Sequence, residues 1–348
     1  MKSYFRKIIE NMTGYIPGEQ TGEKGVVKLN TNENPYPPSP RVLEQIRARL
    51  SERELALYPP PLSDPLRVVA QKTYGIPADW ILVGNGSDEL LNLIFRVFLD
   101  KEDRVLYPYP TYTLYRTLAL LQEAHYQEIP FEENYQLLPE ELVQGEAKLK
   151  IICNPNSPTG TVVSISEVEK VLAASACPVV VDEAYVDFAE ENCLSLLKKY
   201  PNLLILRTLS KSFALAGARV GFLFAWPEMT QGIIKAKDSY NVGIMPQIAA
   251  QAALEDIEYT RARVEQIKKT RSWFSSELAK MGFVVYPSQA NFVWVQLPGS
   301  SLGFLYQGLK ERNILVRYFS EWPDALRITI GREEDMKLLL EEMLEILK

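Results

Sequence analysis

Short apolar runs recur along the first two-thirds of the chain, and within each the apolar residues follow one another rather than alternate. Trp80 to Val83, Arg104 to Tyr107, Leu149 to Cys153, Val179 to Val181, Leu203 to Leu206 and Val220 to Phe224 all read this way. Strands of that kind are buried on both faces, which predicts a mainly parallel sheet flanked by helices. Segments with helical spacing lie between them: Arg41 to Arg53, Leu66 to Tyr74, Glu89 to Phe98 and one starting near Thr113. After about Ile244 the texture changes. Glu255 to Met281 predicts one long helix, with Val264, Ile267, Phe274 and Leu278 on one face. Phe292–Gln296 and Leu326–Ile330 predict strands of a second, smaller sheet, and an amphipathic helix closes the chain. The expected organisation is an arm over 1–34 packing on the small domain, a large α/β domain over 35–243, and a smaller α+β domain over 244–348.

Composition narrows the function classes. The chain has 348 residues and a formal net charge of -6, with no basic run, so no electrostatic footprint for nucleic acid is expected. No apolar stretch is long enough for a membrane span. Met1 to Thr13 lacks the apolar core of a signal peptide, and a cytoplasmic enzyme is the expectation. Cys153, Cys177 and Cys193 are odd in number and widely spaced, against a disulfide framework or a cysteine zinc site. His125 is the only histidine and is expected to be exposed. With one histidine, a histidine-rich metal site and a serine–histidine triad are both hard to build.

Candidate chemistry gathers at the ends of the apolar runs. Thr208 to Gly221 places Lys211 between Ser210 and Ser212, with Arg219 further on. A lysine amine is a nucleophile toward carbonyls once its pKa is lowered, and hydroxyls and a guanidinium suit a phosphate. A solvated surface loop is the plain alternative. Asp182 ends an apolar run, where open α/β sheets bind ligands; it could instead cap the next helix. Gly84-Asn85-Gly86-Ser87-Asp88 precedes an apolar helix and could cradle a phosphate or simply turn the chain. Tyr107 to Tyr112 offers aromatics for stacking or packing, and Cys153 to Gly160 is a proline-shaped loop whose asparagine could bond to a ring substituent.

Taken in this order, the motifs resemble those of the fold-type-I pyridoxal 5'-phosphate (PLP)-dependent aminotransferases. The resemblance runs from Lys28-Leu29-Asn30-Thr31-Asn32-Glu33-Asn34-Pro35 to Leu326–Gly331, and its anchors are Gly84–Leu90, Pro155–Gly160, Val180–Phe188 and Leu209–Phe222. The resemblance implies that Lys211 holds PLP as a Schiff base and moves the Cα proton, that Asp182 faces the pyridine nitrogen, and that Tyr185 contacts the phenolic oxygen. It further implies that Tyr112 stacks on the ring and that Gly86, Ser87, Ser210 and Arg219 hold the phosphate. Tyr58 would reach the PLP phosphate of a neighbouring subunit, so a homodimer with shared sites is implied. Where many relatives have asparagine before Pro-Thr-Gly this chain has Ser157, and Asn156, one residue earlier, is expected to take over the contact.

Among these enzymes the chain is most similar to the branch acting on histidinol phosphate. That similarity implies amino transfer between L-histidinol phosphate and 2-oxoglutarate in histidine biosynthesis. It assigns the substrate to Arg327, Arg317, Tyr15 and Asn34, and implies no metal. Three other readings stay open: an aromatic or broad-specificity aminotransferase, a threonine-phosphate decarboxylase, and a catalytically silent binding protein on the same fold. Retention of Lys211 and Asp182 speaks against the last.

Overall fold

The computed structural model describes residues 4–20, 25–131 and 133–348; the parts of the expected arm at 1–3 and 21–24 lie outside these residues. A seven-stranded sheet forms the centre of the large domain. Its strands are β1 (Ile81–Gly84), β2 (Arg104–Tyr109), β3 (His125–Pro130), β4 (Leu149–Cys153), β5 (Val179–Asp182), β6 (Leu203–Thr208) and β7 (Gly221–Phe224). In space they run β1-β7-β6-β5-β4-β2-β3. Only β7 is antiparallel to its neighbours. β4, β5 and β6 are buried along their whole length, as continuous apolar runs require. β3 was not legible as a strand because His125, Gln127 and Glu128 break its apolar pattern. It pairs only with β2 at one edge of the sheet, where polar residues discourage further pairing. His125 begins β3 and is exposed.

The helix after β1 starts at Gly86 rather than Glu89 and ends at Phe98. The Asn85 side chain makes no cap bond to its first turn, although Glu89 accepts from the Asn85 N–H at 2.6 Å. A missing cap costs about 1 kcal/mol, whereas each fully buried large apolar side chain contributes about 1.5–3 kcal/mol. Leu90, Leu91, Ile94 and Phe95 are all buried, so packing outweighs the uncapped end. The start of the helix can therefore present backbone N–H groups to an anion.

One helix expected to be continuous is broken, and another starts two residues late. Arg41–Arg53 divides into Pro40–Arg49 and Glu52–Ala56, with Leu50 extended and the Ser51 hydroxyl on Glu54. The long helix starts only at Ile257, because Asp256 leaves helical geometry and its carboxylate accepts from the Ser39 hydroxyl at 2.5 Å. The preceding helix, Ile244–Glu255, packs on Pro40–Arg49 and Asp64–Tyr74, and its Ala249, Ala250 and Leu254 share the large sheet's core. This helix, assigned to the small domain by the expected boundary between 243 and 244, thus packs with the large domain's core.

Beyond it, Ile257–Lys280 and Glu333–Leu347 pack with a four-stranded antiparallel sheet that includes Phe292–Gln296 and Ala325–Thr329. The arm joins this second core: Val27–Lys28 pairs in parallel with Ile314–Leu315, and Leu29 is buried among its residues.

Candidate active site

The carboxyl ends of β4, β5 and β6 and the start of helix Gly86–Phe98 open into a cavity of ≈ 200 Å³, which the arm and the small domain cover. Asp182 is the last residue of β5 and is buried. One carboxylate oxygen accepts from the Tyr115 hydroxyl at 2.8 Å and the other from the Ala184 N–H at 3.2 Å. Burial pushes its carboxyl up to about 6. Behind it, Glu183 and Arg207 form a buried ion pair at 2.7 Å. Removing one partner of such a pair costs about 3–5 kcal/mol, so the pair fixes β5 against β6 and thereby Asp182 against the loop after β6.

Lys211 sits in that loop. Its side chain keeps some contact with the cavity, while its amine is surrounded by protein. Nζ donates to the Thr31 carbonyl at 3.1 Å and lies 5.8 Å from the centre of the Tyr185 ring. Burial first, then the Arg327 charge, lowers the amine to about 8, so about a tenth of it is neutral at pH 7, far more than for an ordinary lysine with a pKa of about 10.4.

Arg219 has left-handed backbone, φ 52. Its guanidinium donates to the Ser210 hydroxyl at 3.3 Å and to Asp88 at 3.0 Å. A Cβ on Gly86 would approach that guanidinium to 2.6 Å, and one on Gly221 would approach the Gly86 carbonyl carbon to 2.6 Å and the Ser87 nitrogen to 2.7 Å. Both glycines are thus needed for the helix start, Ser210 and Arg219 to converge on one place. The Tyr112 hydroxyl donates to Asp88 at 3.2 Å, and its ring meets Tyr15 edge-on at 5.6 Å.

Two arginines face this floor from the small domain. Arg327 donates to the Ser157 hydroxyl at 3.1 Å and the Asn30 carbonyl at 2.9 Å, and its Nε is buried without a partner. Arg317 donates to the carbonyls of Ile16 at 3.1 Å and Pro17 at 3.3 Å. Tyr15, Arg317 and Arg327 all line the cavity with Lys211.

Asn156 and Asn34 have their amides bonded within the protein, and Tyr58, expected to reach a neighbouring subunit, lies outside this chain's cavity. The Asn156 amide is consumed within its own region: it accepts from the Thr111 hydroxyl and donates to the Pro110 carbonyl and the Thr159 hydroxyl, each at 2.9 Å. Ser157 lines the cavity instead. Asn34 lies outside the cavity lining; its amide donates to the carbonyls of Lys211 and Ser212 at 3.0 Å, bracing the lysine loop. Tyr58 is 79% exposed, stacks on Tyr240 at 4.3 Å and does not line this chain's cavity. Sequence reasoning gave no individual role to Asn32 or Tyr115. Tyr115 lies in the first turn of helix Leu114–Leu121, three residues after Tyr112; its place just beyond the aromatic run was the available signal.

The family model for aminotransferase class I and II matches residues 24–343. This chain belongs to that family. It is 42% identical to histidinol-phosphate aminotransferase 1 of a Nostoc species, over 100% of this chain and 99% of the relative. It is also 42% identical to histidinol-phosphate aminotransferase of Rhodopirellula baltica, over 95% of this chain and 92% of that one. In three dimensions, this aminotransferase superposes on the Sinorhizobium meliloti histidinol-phosphate aminotransferase solved with pyridoxal-5'-phosphate. That match has a TM-score of 0.90 and 24% identity, and covers 100% of this chain and 98% of that one. It also shares its fold with L-threonine-O-3-phosphate decarboxylase of Porphyromonas gingivalis, at TM-score 0.83 and 21% identity, covering 92% and 99% of the two chains.

Proposed function

We propose that this aminotransferase moves an amino group between L-histidinol phosphate and 2-oxoglutarate, with PLP held in the cavity. One observation carries the reading: the cavity joins a lysine lowered to about 8 to arginines at two levels, Arg219 on the floor and Arg317 with Arg327 above, whose forks suit anionic groups. The full-length relatives at 42% identity that bear the histidinol-phosphate name support the choice of donor.

The residues present fit PLP. The Gly86–Gly221 approach leaves a cradle for the phosphate beside Ser87, Ser210 and Arg219. A buried carboxylate raised to about 6, as at Asp182, is stabilised by a cation, and a protonated pyridine nitrogen supplies one. Bound there, PLP contributes an aldehyde that condenses with an amine and a pyridinium that withdraws electrons from the substrate's Cα. Lys211 Nζ is the base in this reading and takes up the proton leaving Cα. Tyr185 offers its hydroxyl to the ring's phenolic oxygen, and Tyr112 offers a flat face. Arg327 has a planar fork suited to a carboxylate, and Arg317 with Tyr15 is placed for a substrate phosphate. Three kinds of contact hold Arg327 in place, to Ser157, to Asn30 and over the Phe292 ring at 5.3 Å, so its aim is preorganised.

The same reading includes a dimer. Leu55, Leu57, Tyr58, Tyr240 and Met245 are exposed, and Tyr58 is the side chain that would enter the partner's phosphate cradle. Among the described residues no helix is long and apolar enough to cross a membrane.

The test is a donor panel with purified enzyme and PLP. Histidinol phosphate should convert the cofactor absorbance to that of the amine form and, with 2-oxoglutarate, yield glutamate. Faster turnover of phenylalanine or tyrosine would move the assignment to an aromatic aminotransferase. Release of carbon dioxide from threonine phosphate without an acceptor would move it to a decarboxylase.

A further inference from the structure

Asn32 is 1% exposed and has left-handed backbone, φ 57. A buried amide must find its partners inside the protein, and Asn32 finds them in three distant parts of the chain. Its Nδ2 donates to the Tyr185 hydroxyl at 2.9 Å. Its Oδ1 accepts from the Thr329 hydroxyl at 3.0 Å, while that hydroxyl accepts from the Asn32 backbone N–H at 3.0 Å. Its carbonyl accepts from Asn291 Nδ2 at 3.0 Å. One residue earlier, the Thr31 carbonyl holds Lys211 Nζ. The Thr31 hydroxyl is tied to Glu33 and to Lys28, at 2.8 Å each, and Lys28 and Glu33 pair at 2.5 Å.

These bonds fix a direction. The Thr329 oxygen already accepts from the Asn32 N–H, so its own proton goes to Oδ1. That leaves the NH2 end of the amide facing Tyr185. The Tyr185 oxygen is therefore an acceptor toward Asn32, and its proton remains available to the cavity. We propose that Asn32 is a positioning residue for the aminotransfer reaction: it keeps the Tyr185 hydroxyl a donor into the cavity and, through its left-handed backbone, sets the Thr31 carbonyl on Lys211. Because Asn32 is held by Thr329 and Asn291, the small domain reaches both groups through this one residue.

The inference rests on the function proposed above for its turnover readout alone. Asn32→Asp keeps the side-chain shape and tolerates left-handed backbone, but a carboxylate accepts from Tyr185 and turns its proton away. Asn32→Gly keeps the backbone freedom and deletes the amide. For each holoenzyme one measures kcat, KM, melting temperature and the pH midpoint of the cofactor's absorbance change. Lys211 is faced by Arg327, Glu33, Asp88 and Arg219, and Tyr185 by Arg327, Cys153 and Asp182; all remain in both variants, so a shifted midpoint reports Asn32. Asn32→Asp should raise the midpoint by about one unit and lower kcat about 100-fold with KM within about twofold. Asn32→Gly should lower kcat about tenfold. In a Tyr185→Phe background, Asn32→Asp should lower kcat less than about tenfold further.

Midpoint and kcat near wild type in both variants, with only a lower melting temperature, would reduce Asn32 to a structural residue. An undiminished loss in the Tyr185→Phe background would also overturn the proposal. If Asn32→Asp does not fold, Asn32→Gly decides the matter on the same readouts. Wild-type enzyme inert toward histidinol phosphate would defeat the proposed function, while the absorbance midpoint would still decide the role of Asn32.

Discussion

The floor and the roof of the cavity are built on different principles. On the floor, Asp182 and the Lys211 loop extend from adjacent parallel strands, and side chains of the same domain supply most of the support: Tyr115 on Asp182, Ser210 and Asp88 on Arg219, the Glu183–Arg207 pair beneath, with the arm adding Thr31 and Asn34 at the lysine. In the roof, Arg317 and Arg327 rest largely on main-chain carbonyls of the arm, at Ile16, Pro17 and Asn30. Floor groups are preorganised for one kind of chemistry. Roof guanidiniums held by neutral carbonyls keep their full charge for an incoming anion, because no carboxylate among the described residues is within salt-bridge distance of either. Under the proposed function, reaction belongs to the floor and substrate choice to the roof, which predicts different kinetic signatures for damage to each.

The largest effect should come from Lys211→Ala, with turnover falling at least about 10⁴-fold and the absorbance of lysine-bound cofactor disappearing in the visible spectrum. Retention of both would break the comparison at its floor. Asp182→Asn should follow, at about 10²–10³-fold in kcat with the fold intact by circular dichroism. A loss of folding that matches the loss of turnover would make Asp182 structural. In the roof, Arg317→Ala should raise KM about tenfold for phosphorylated donors and leave unphosphorylated ones nearly unchanged. An equal change in both, or a change confined to kcat, would erase the distinction between floor and roof.

The smallest effect is a pH dependence. Burial lowers Lys211 to about 8, against about 10.4 for an ordinary lysine. In cofactor-free protein, the folded state therefore loses this proton before the unfolded state does. The cost of the buried ammonium is complete below about 8 and vanishes as pH climbs from there to about 10.4. PLP uptake, which needs the neutral amine, should rise with pH and level off above about 8. A rise continuing to about 10 would show an unperturbed lysine.

Most of the floor was legible in the chain, because strand ends leave a mark. A continuous apolar run that stops at Asp182, or at Thr208 just before Lys211, says where the sheet ends and so where ligands bind. The roof was legible only as single residues. Arg317 and Arg327 could be named, but their partners come from residues about 300 positions away in sequence, and no local pattern carries that information. Asn156 shows another limit. Its position suited a cofactor contact, yet three hydrogen bonds with Thr111, Pro110 and Thr159 had already used its amide. The place of Asn34 was hidden for the same reason, since its bonds to Lys211 and Ser212 depend on how the arm folds back. The helix break at Asp256 was hidden because the bond that accompanies it, to Ser39, is again non-local.

The central claim is that the Lys211 amine carries the cofactor, and it can be tested directly. Purified holoenzyme is reduced with borohydride, digested, and its peptides are sequenced by mass spectrometry. The account predicts a pyridoxyl group on Lys211 at close to one per chain and none on Lys211→Ala protein. A pyridoxyl group on another lysine, or its absence from a protein that still transfers amino groups, would contradict it.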